Sequence, residues 1–141
     1  MKKTIEIKIR GYHLDIFQHV NNARYLEVLE EARWAMLEDS VLQPAYFEQN
    51  NISFAVVNIN INYRQGARFG DVLKIESSLS RIGEKSATLY QRASLKDSET
   101  IVVDAEVTFV ILDNKTGKAI PLTEDITRNW SAFRDDGSNP I

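Results

Sequence analysis

The chain opens with strict alternation. In residues 4–10, Ile5, Ile7 and Ile9 take one parity and Glu6, Lys8 and Arg10 the other, the period-two pattern of a half-buried strand. Gly11 breaks the run. From Asn22 to about Asp39 the period becomes helical. Tyr25, Leu26, Val28, Leu29, Ala32, Ala35, Met36 and Leu37 spread over a wide apolar face, and Glu27, Glu31, Trp34 and Glu38 share the remaining stripe. A helix lying on a flat surface shows a narrower apolar face, so this width predicts a helix held inside something concave. Trp34, on the polar stripe, is a candidate subunit contact or an ordinary exposed aromatic. Pro44 can open a short second helix that ends before Asn50.

From Ile52 the chain returns to strand patterns. Val57, Ile59, Ile61 and Tyr63 alternate with Asn58, Asn60, Asn62 and Arg64. Residues 72–81 carry Leu73, Ile75 and Leu79, and residues 86–96 carry Ala87, Leu89, Ala93 and Leu95. The clearest strand, 101–111, sets Ile101, Val103, Ala105, Val107, Phe109 and Ile111 on one face. Breaks fall at 66–70, 83–85 and 97–99, and Asp113-Asn114-Lys115-Thr116-Gly117 is a turn signal. A short strand over 119–122 follows. Thr123 then caps a last helix, with Ile126, Trp130 and Phe133 on one face. The links are too short for crossover helices, so the sheet is mainly antiparallel, with one apolar face to cover. The prediction is an α+β fold: a curled antiparallel sheet wrapped around one long central helix, which supplies most of the cover. Residues 1–133 read as one domain and residues 134–141 as a flexible C-terminal tail.

Composition narrows the function. A chain of 141 residues can bury a core without disulfides or metal. It has no cysteine, which excludes thiolate chemistry and suits a reducing cytoplasm. Its net charge of −3 argues against a general nucleic-acid binder. The start, MKKTIEIKIR, lacks the apolar core of a signal peptide, and no apolar run is long enough to span a membrane. P-loop, GxGxxG and Ser/His/Asp patterns are missing. A cytoplasmic protein that needs no cofactor is therefore expected.

The candidate chemistry lies where strand gives way to helix. Residues 13–21, HLDIFQHVN, carry both histidines of the chain with Asp15 between them. Asn21 can cap the helix, with Val20 and Tyr25 as a hydrophobic staple across the start. That register puts Asn22 at the first helical position. Its N–H has no partner within the helix, and the helix dipole adds partial positive charge there. Free donors at such an end suit a developing oxyanion. By residue type alone, Asn21 and Asn22 are ordinary caps and Asp15 is a loop carboxylate making a turn bond. His13, Asp15 and His19 are zinc-type donors, but no cysteine or further histidine completes a set, so no metal is assigned.

The stretch HLDIFQHVNNARYLEVLEEARW resembles the hotdog-fold thioesterases of the 4-hydroxybenzoyl-CoA thioesterase-like family, bacterial long-chain acyl-CoA thioesterases in particular. It is also similar to the D-x-x-x-HVNN-x-x-Y stretch of acyl-carrier-protein thioesterases. The resemblance covers nearly the whole chain. It implies a hotdog fold, a catalytic carboxylate at Asp15, and a first-turn amide, that of Asn22, polarising the thioester carbonyl. It further implies a homodimer or homotetramer with active sites at subunit interfaces. The chain departs from the family at His13, where hydroxybenzoyl enzymes carry a second acid, and at Phe17, where carrier-protein enzymes carry Asn. Both departures fit a general acyl-CoA enzyme better. His19, Gln18 and Tyr25 are the substrate-side candidates: His19 to orient Asp15 or hold the loop, Gln18 to position water, Tyr25 chiefly as staple and core. Arg64, Arg68, Lys74, Arg81 and Lys85 have the charge for coenzyme A phosphates, but basic residues at strand ends are usually just solvated and none is assigned. The expected activity is hydrolysis of a fatty acyl-CoA to fatty acid and coenzyme A. The alternatives are an acyl-carrier-protein thioesterase and a non-catalytic acyl-CoA-binding hotdog protein. Asp15 speaks against the binder, which needs no carboxylate aimed at a carbonyl.

Overall fold

The computed structural model describes residues 2–134; most of the predicted tail, 135–141, lies outside the described residues. Strand β1 (Lys3–Lys8) leads through one turn of 3-10 helix, Gly11–His13, to the long helix α1 (Asn22–Glu38) and the short α2 (Pro44–Gln49). Strands β2 (Ile52–Tyr63), β3 (Val72–Ile82), β4 (Ser86–Leu95), β5 (Ile101–Asp113) and β6 (Ala119–Ile120) follow, and α3 (Glu124–Ser131) comes last. The strands form one antiparallel sheet in the order β1-β3-β4-β5-β2, with β6 also on β5. Both helix-cap predictions hold: the Asn21 side chain accepts from the Ala23 N–H and that of Thr123 from the Ile126 N–H. Among the described residues no helix is long and apolar enough to cross a membrane.

Three local readings change. First, β2 carries a bulge between Val56 and Asn58. The extra residue reverses parity, so Val56, opposite Phe109, faces inward and Val57 is left outside, 57% exposed. A strict alternation drawn through Val57 misplaces it. Second, α1 covers most of the sheet but not all of it. It packs on β1 and β3, and its residues Tyr25, Val28, Leu29 and Ala32 join one apolar cluster with Leu73, Ile75 and Val103. A second cluster, built on Leu79, Leu89, Phe109 and Ile111, is closed by Met36 from the end of α1, Leu42, and Ile126, Trp130 and Phe133 from the C-terminal segment. Leu26 and Trp34 stay 37% and 45% exposed, so the wide apolar face is not fully enclosed by this chain's own sheet. Third, Arg134, read as the first residue of the tail, bridges to Leu79.

Between the clusters lies a polar pair that the apolar reading of β3 and β4 passes over. Ser77 and Gln91 face each other in register and both are fully buried. Gln91 Nε2 donates to Ser77 Oγ at 2.9 Å and to the Leu29 carbonyl of α1 at 3.0 Å. Arg33 Nη1 donates to Gln91 Oε1 at 3.1 Å. A buried amide with both ends occupied avoids the desolvation cost of an unpaired polar group and fixes the helix along its axis.

Phe109 is the centre of the second cluster, stacked on Phe54 at 4.6 Å and meeting Trp130 edge-on at 4.4 Å. Phe109→Ala is expected to cost about 3–5 kcal/mol of unfolding free energy in urea titration. A loss under about 1 kcal/mol would mean that α3 and β2 are joined by something other than this aromatic centre.

Candidate active site

Residues 14–20 form a tight loop on a backbone frame. Leu14 and Val20 pair as an antiparallel bridge, and the Asp15 N–H donates to the His19 carbonyl at 2.9 Å. The Gln18 N–H donates to the Asp15 carbonyl, and Gln18 takes a φ of 65°, a left-handed conformation unusual outside glycine. The loop is tied outward at two places: the Val20 N–H donates to the Ala67 carbonyl, and the Asn21 N–H to the His13 carbonyl. The sequence can therefore turn from 3-10 segment to helix with its main chain almost fully bonded.

That frame aims Asp15. Its Oδ1 accepts from the Phe17 N–H at 2.8 Å and from the His19 N–H at 3.3 Å. The turn bond predicted for an ordinary loop carboxylate is thus present. It occupies one oxygen only, and Oδ2 has no protein partner among the described residues. Seven residues on, Asn22 is the first residue of α1, and its N–H has no acceptor among the described residues. Asp15, His19, Asn22 and Tyr25 line one pocket of about 420 Å³, closed on the far side by Tyr63, Arg64, Gln65 and Gly66 from the end of β2. A carboxylate with a free oxygen and an unbonded first-turn amide can together activate a nucleophile and receive an oxyanion.

The predicted residues divide by position. The histidines separate: His19 lines this pocket, whereas His13 is buried and its Nδ1 accepts from the Arg10 N–H at 2.9 Å. Gln18 is exposed at the loop apex and is not among the pocket-lining residues. Tyr25 is buried against Tyr63, and its hydroxyl accepts from the Ala67 N–H at 3.2 Å, which holds the 64–67 segment over the pocket. Burial pushes the Tyr25 phenol above its ordinary range. Of the five basic candidates only Arg64 lines the pocket, paired with Asp104 at 2.8 Å.

Tyr63 and Gly66 escape sequence reasoning. Tyr63 reads as one more strand residue, yet its hydroxyl donates to the Asn22 carbonyl at 3.2 Å and joins β2 to the start of α1. Gly66 reads as a turn glycine, but a Cβ there would stand 3.0 Å from His19 Cδ2. The missing side chain makes room for the imidazole. Tyrosine and glycine closing a strand that follows the helix are too common a pair to signal this.

With the geometry in place, comparison with known proteins identifies the family. Residues 9–130 match the family model of the thioesterase-like superfamily. The chain is 51% identical over 121 residues to the long-chain acyl-CoA thioesterase FadM of Escherichia coli, covering 86% of this chain and 91% of that protein. Among solved structures it is similar to YbaW, a probable thioesterase from Escherichia coli, with a TM-score of 0.84, 46% identity, and coverage of 94% of this chain and 99% of that one. It also superposes on the hypothetical protein SAV2348 from Staphylococcus aureus, solved in complex with CoA. There the TM-score is 0.87 at 14% identity, covering 99% of this chain and 90% of that one, a likeness of fold alone.

Two tests follow from the loop. Burial lowers the His13 pKa below its usual 6.5, with Arg24 the next cause. The folded state thus favours neutral His13, and its contribution to stability is full above about pH 6.5 and lost as pH falls through the lowered folded value. Unfolding free energy should decline below about pH 6.5 in wild type, with a shallower decline in His13→Asn, which keeps an acceptor for the Arg10 N–H. Identical slopes would remove His13 as the cause. Separately, Gly66→Ala should displace the His19 ring and shift its imidazole proton resonances, at a stability cost of about 1 kcal/mol or less. Unmoved resonances would show that the 64–67 segment, not the ring, gives way.

Proposed function

We propose that this member of the thioesterase-like superfamily, a hotdog-fold thioester hydrolase, acts on fatty acyl-CoA and releases free fatty acid and coenzyme A. The observation that carries this reading is the pocket shared by the half-free Asp15 carboxylate and the unbonded Asn22 amide. FadM, half identical over most of both chains, is named for long-chain acyl-CoA, which supports the choice of substrate.

In this reading the thioester carbonyl oxygen accepts from the Asn22 N–H at the positive end of α1. Asp15 then serves in one of two ways. As a base it takes a proton from water, whose oxygen attacks the carbonyl carbon; the carbon–sulfur bond breaks and the departing thiolate recovers a proton. As a nucleophile it attacks the carbon itself, expels the thiolate, and forms an anhydride that water opens. His19, packed on Gly66, orients the loop and the substrate side of the pocket. Tyr25 keeps its structural part by holding the Ala67 N–H, and Gln18 reaches a water only from the loop apex. No step calls on a metal or cofactor.

The working unit is proposed to be a homodimer or homotetramer with the pocket at a subunit interface. Two features support this. Ile16 and Phe17, beside Asp15, are 87% and 70% exposed. β2, at 12 residues, is an edge strand whose outer hydrogen-bonding row has no partner strand among the described residues.

Thiol release from acyl-CoA esters tests the reading cleanly, because a cysteine-free chain contributes no thiol of its own. Asp15→Asn should lower kcat by about 10²-fold or more with unfolding midpoint and particle size unchanged. Equal rates in the two proteins would take Asp15 out of the chemistry. Turnover of acyl carrier protein esters with none of coenzyme A esters would replace the substrate while keeping the site.

A further inference from the structure

The Asn22 N–H can serve an oxyanion only if its direction is held, and it belongs to the first residue of a helix, where the intrahelical ladder gives least support. Two rigid peptide planes meet at Asn22 and decide that direction. The plane before it is tied by the Arg24 N–H, which donates to the Asn21 carbonyl at 2.9 Å. The plane after it is tied on both sides. Its N–H, that of Ala23, donates to Asn21 Oδ1 at 2.9 Å, and its carbonyl, that of Asn22, accepts from the Tyr63 hydroxyl at 3.2 Å. The Arg24 and Asn21 ties lie within the helix end and open together when it frays. Among the described residues only Tyr63 reaches these two planes from another element, 41 residues away at the end of β2.

Tyr63 is itself aimed. Its ring lies 5.8 Å from that of Tyr25, tilted by 54°, and Tyr25 is buried with its hydroxyl accepting from the Ala67 N–H. Yet Tyr63 is 48% exposed, so its ring adds little to the core, and it lines the same pocket as Asp15 and Asn22. Phenylalanine would rest on Tyr25 and wall the pocket equally well. Only the hydroxyl sets tyrosine apart here, and its one protein partner among the described residues is the Asn22 carbonyl.

We infer that Tyr63 is a positioning residue whose hydroxyl, by holding the Asn22 carbonyl, keeps the Asn22 N–H aimed at the thioester oxygen, an inference that rests on the thioesterase reading of the Asp15 pocket. A donor stabilises developing charge best when its direction is set before the reaction, because no energy then goes into turning it. A misplacement of about 1 Å can cost about 10²-fold in rate. The loss belongs in kcat, since the ground-state carbonyl carries little charge and the rest of the substrate holds it in place.

The test is Tyr63→Phe in the full chain, which keeps the ring and removes the hydroxyl. With hexadecanoyl-CoA, kcat should fall about tenfold or more, with little change in KM and none in the unfolding midpoint. A second readout follows the substrate carbonyl. In Asp15→Asn, the infrared stretch of hexadecanoyl-CoA isotopically labelled at its carbonyl should drop on binding, as hydrogen bonding weakens the carbon–oxygen double bond. Adding Tyr63→Phe should return it toward the value in water. A rise in KM with kcat kept makes Tyr63 a wall of the pocket and overturns the inference. So does an unmoved carbonyl stretch, or a fall in kcat matched by a lower unfolding midpoint. A third readout needs no turnover: the backbone NMR order parameter at Asn22 should be that of rigid helix in wild type and fall in Tyr63→Phe. Hydrolysis by wild type with Asn22 equally ordered in both proteins sinks the inference alone. Wild type that hydrolyses no thioester of coenzyme A or acyl carrier protein sinks the thioesterase reading, and the inference with it.

Discussion

The Gln91 side chain sets the register on which the rest depends. It is the one buried side-chain amide among the described residues, it lies between two apolar clusters, and it grips α1 at the Leu29 carbonyl while receiving Arg33. Apolar side chains tolerate sliding, because one buried methyl group serves nearly as well as the next. A buried amide does not, because a small shift leaves donors unpaired in a poor solvent at a cost of about 1–3 kcal/mol. With Leu29 fixed, Asn22 falls two turns toward one end, where its amide meets the pocket, and Trp34 falls beside a second cavity at the other. One polar contact in the middle of the helix thus places both ends.

The same economy governs the loop before α1. Its main chain is tied by the bridge between Leu14 and Val20, by the Val20 bond to Ala67, and by the cap that Asn21 offers Ala23. Against so many bonds made, two groups without a partner among the described residues lie on the same pocket: Asp15 Oδ2 and the Asn22 N–H. A fold that satisfied every group here would gain a little stability and lose the chemistry proposed for the pocket. The left-handed Gln18 belongs to the same compromise, since the turn that aims Asp15 demands a backbone conformation its own residue does not favour.

Much of this is legible from the sequence. Period-two and helical patterns place every strand and α-helix of the described residues to within a few residues, though not the 3-10 turn at Gly11–His13, and the HVNN segment marks the helix start together with the carboxylate before it. What escapes is of one kind: features set by pairing between distant segments. The bulge at Val57 depends on the register of β2 against β5, which no local alternation reveals. Ser77 and Gln91 each look like a polar interruption until the sheet brings them face to face. Gly66 and Tyr63 belong to the site only because β2 ends where α1 begins. His13 and His19 read alike, six residues apart, and the fold turns one inward as a hydrogen-bond acceptor and leaves the other at the pocket. The width of the apolar face of α1 is read correctly: most of it meets the sheet through β1 and β3, and Leu26 and Trp34 are left partly exposed.

That exposure bears on why a small domain leaves apolar surface open. Seating α1 squarely over β2 would bury Ile59, Ile61 and Val56 more fully, at a gain of about 25 cal/mol for each Å² of apolar surface removed from water. The chain forgoes that gain and spends three separate segments, α2, Leu42 and α3, on covering only the far cluster. For a structural domain this would be a poor solution, because the open row also lies on an edge strand and invites association. For a chain that works as the proposed homodimer or homotetramer it is a coherent one, because a second copy can cover the open row.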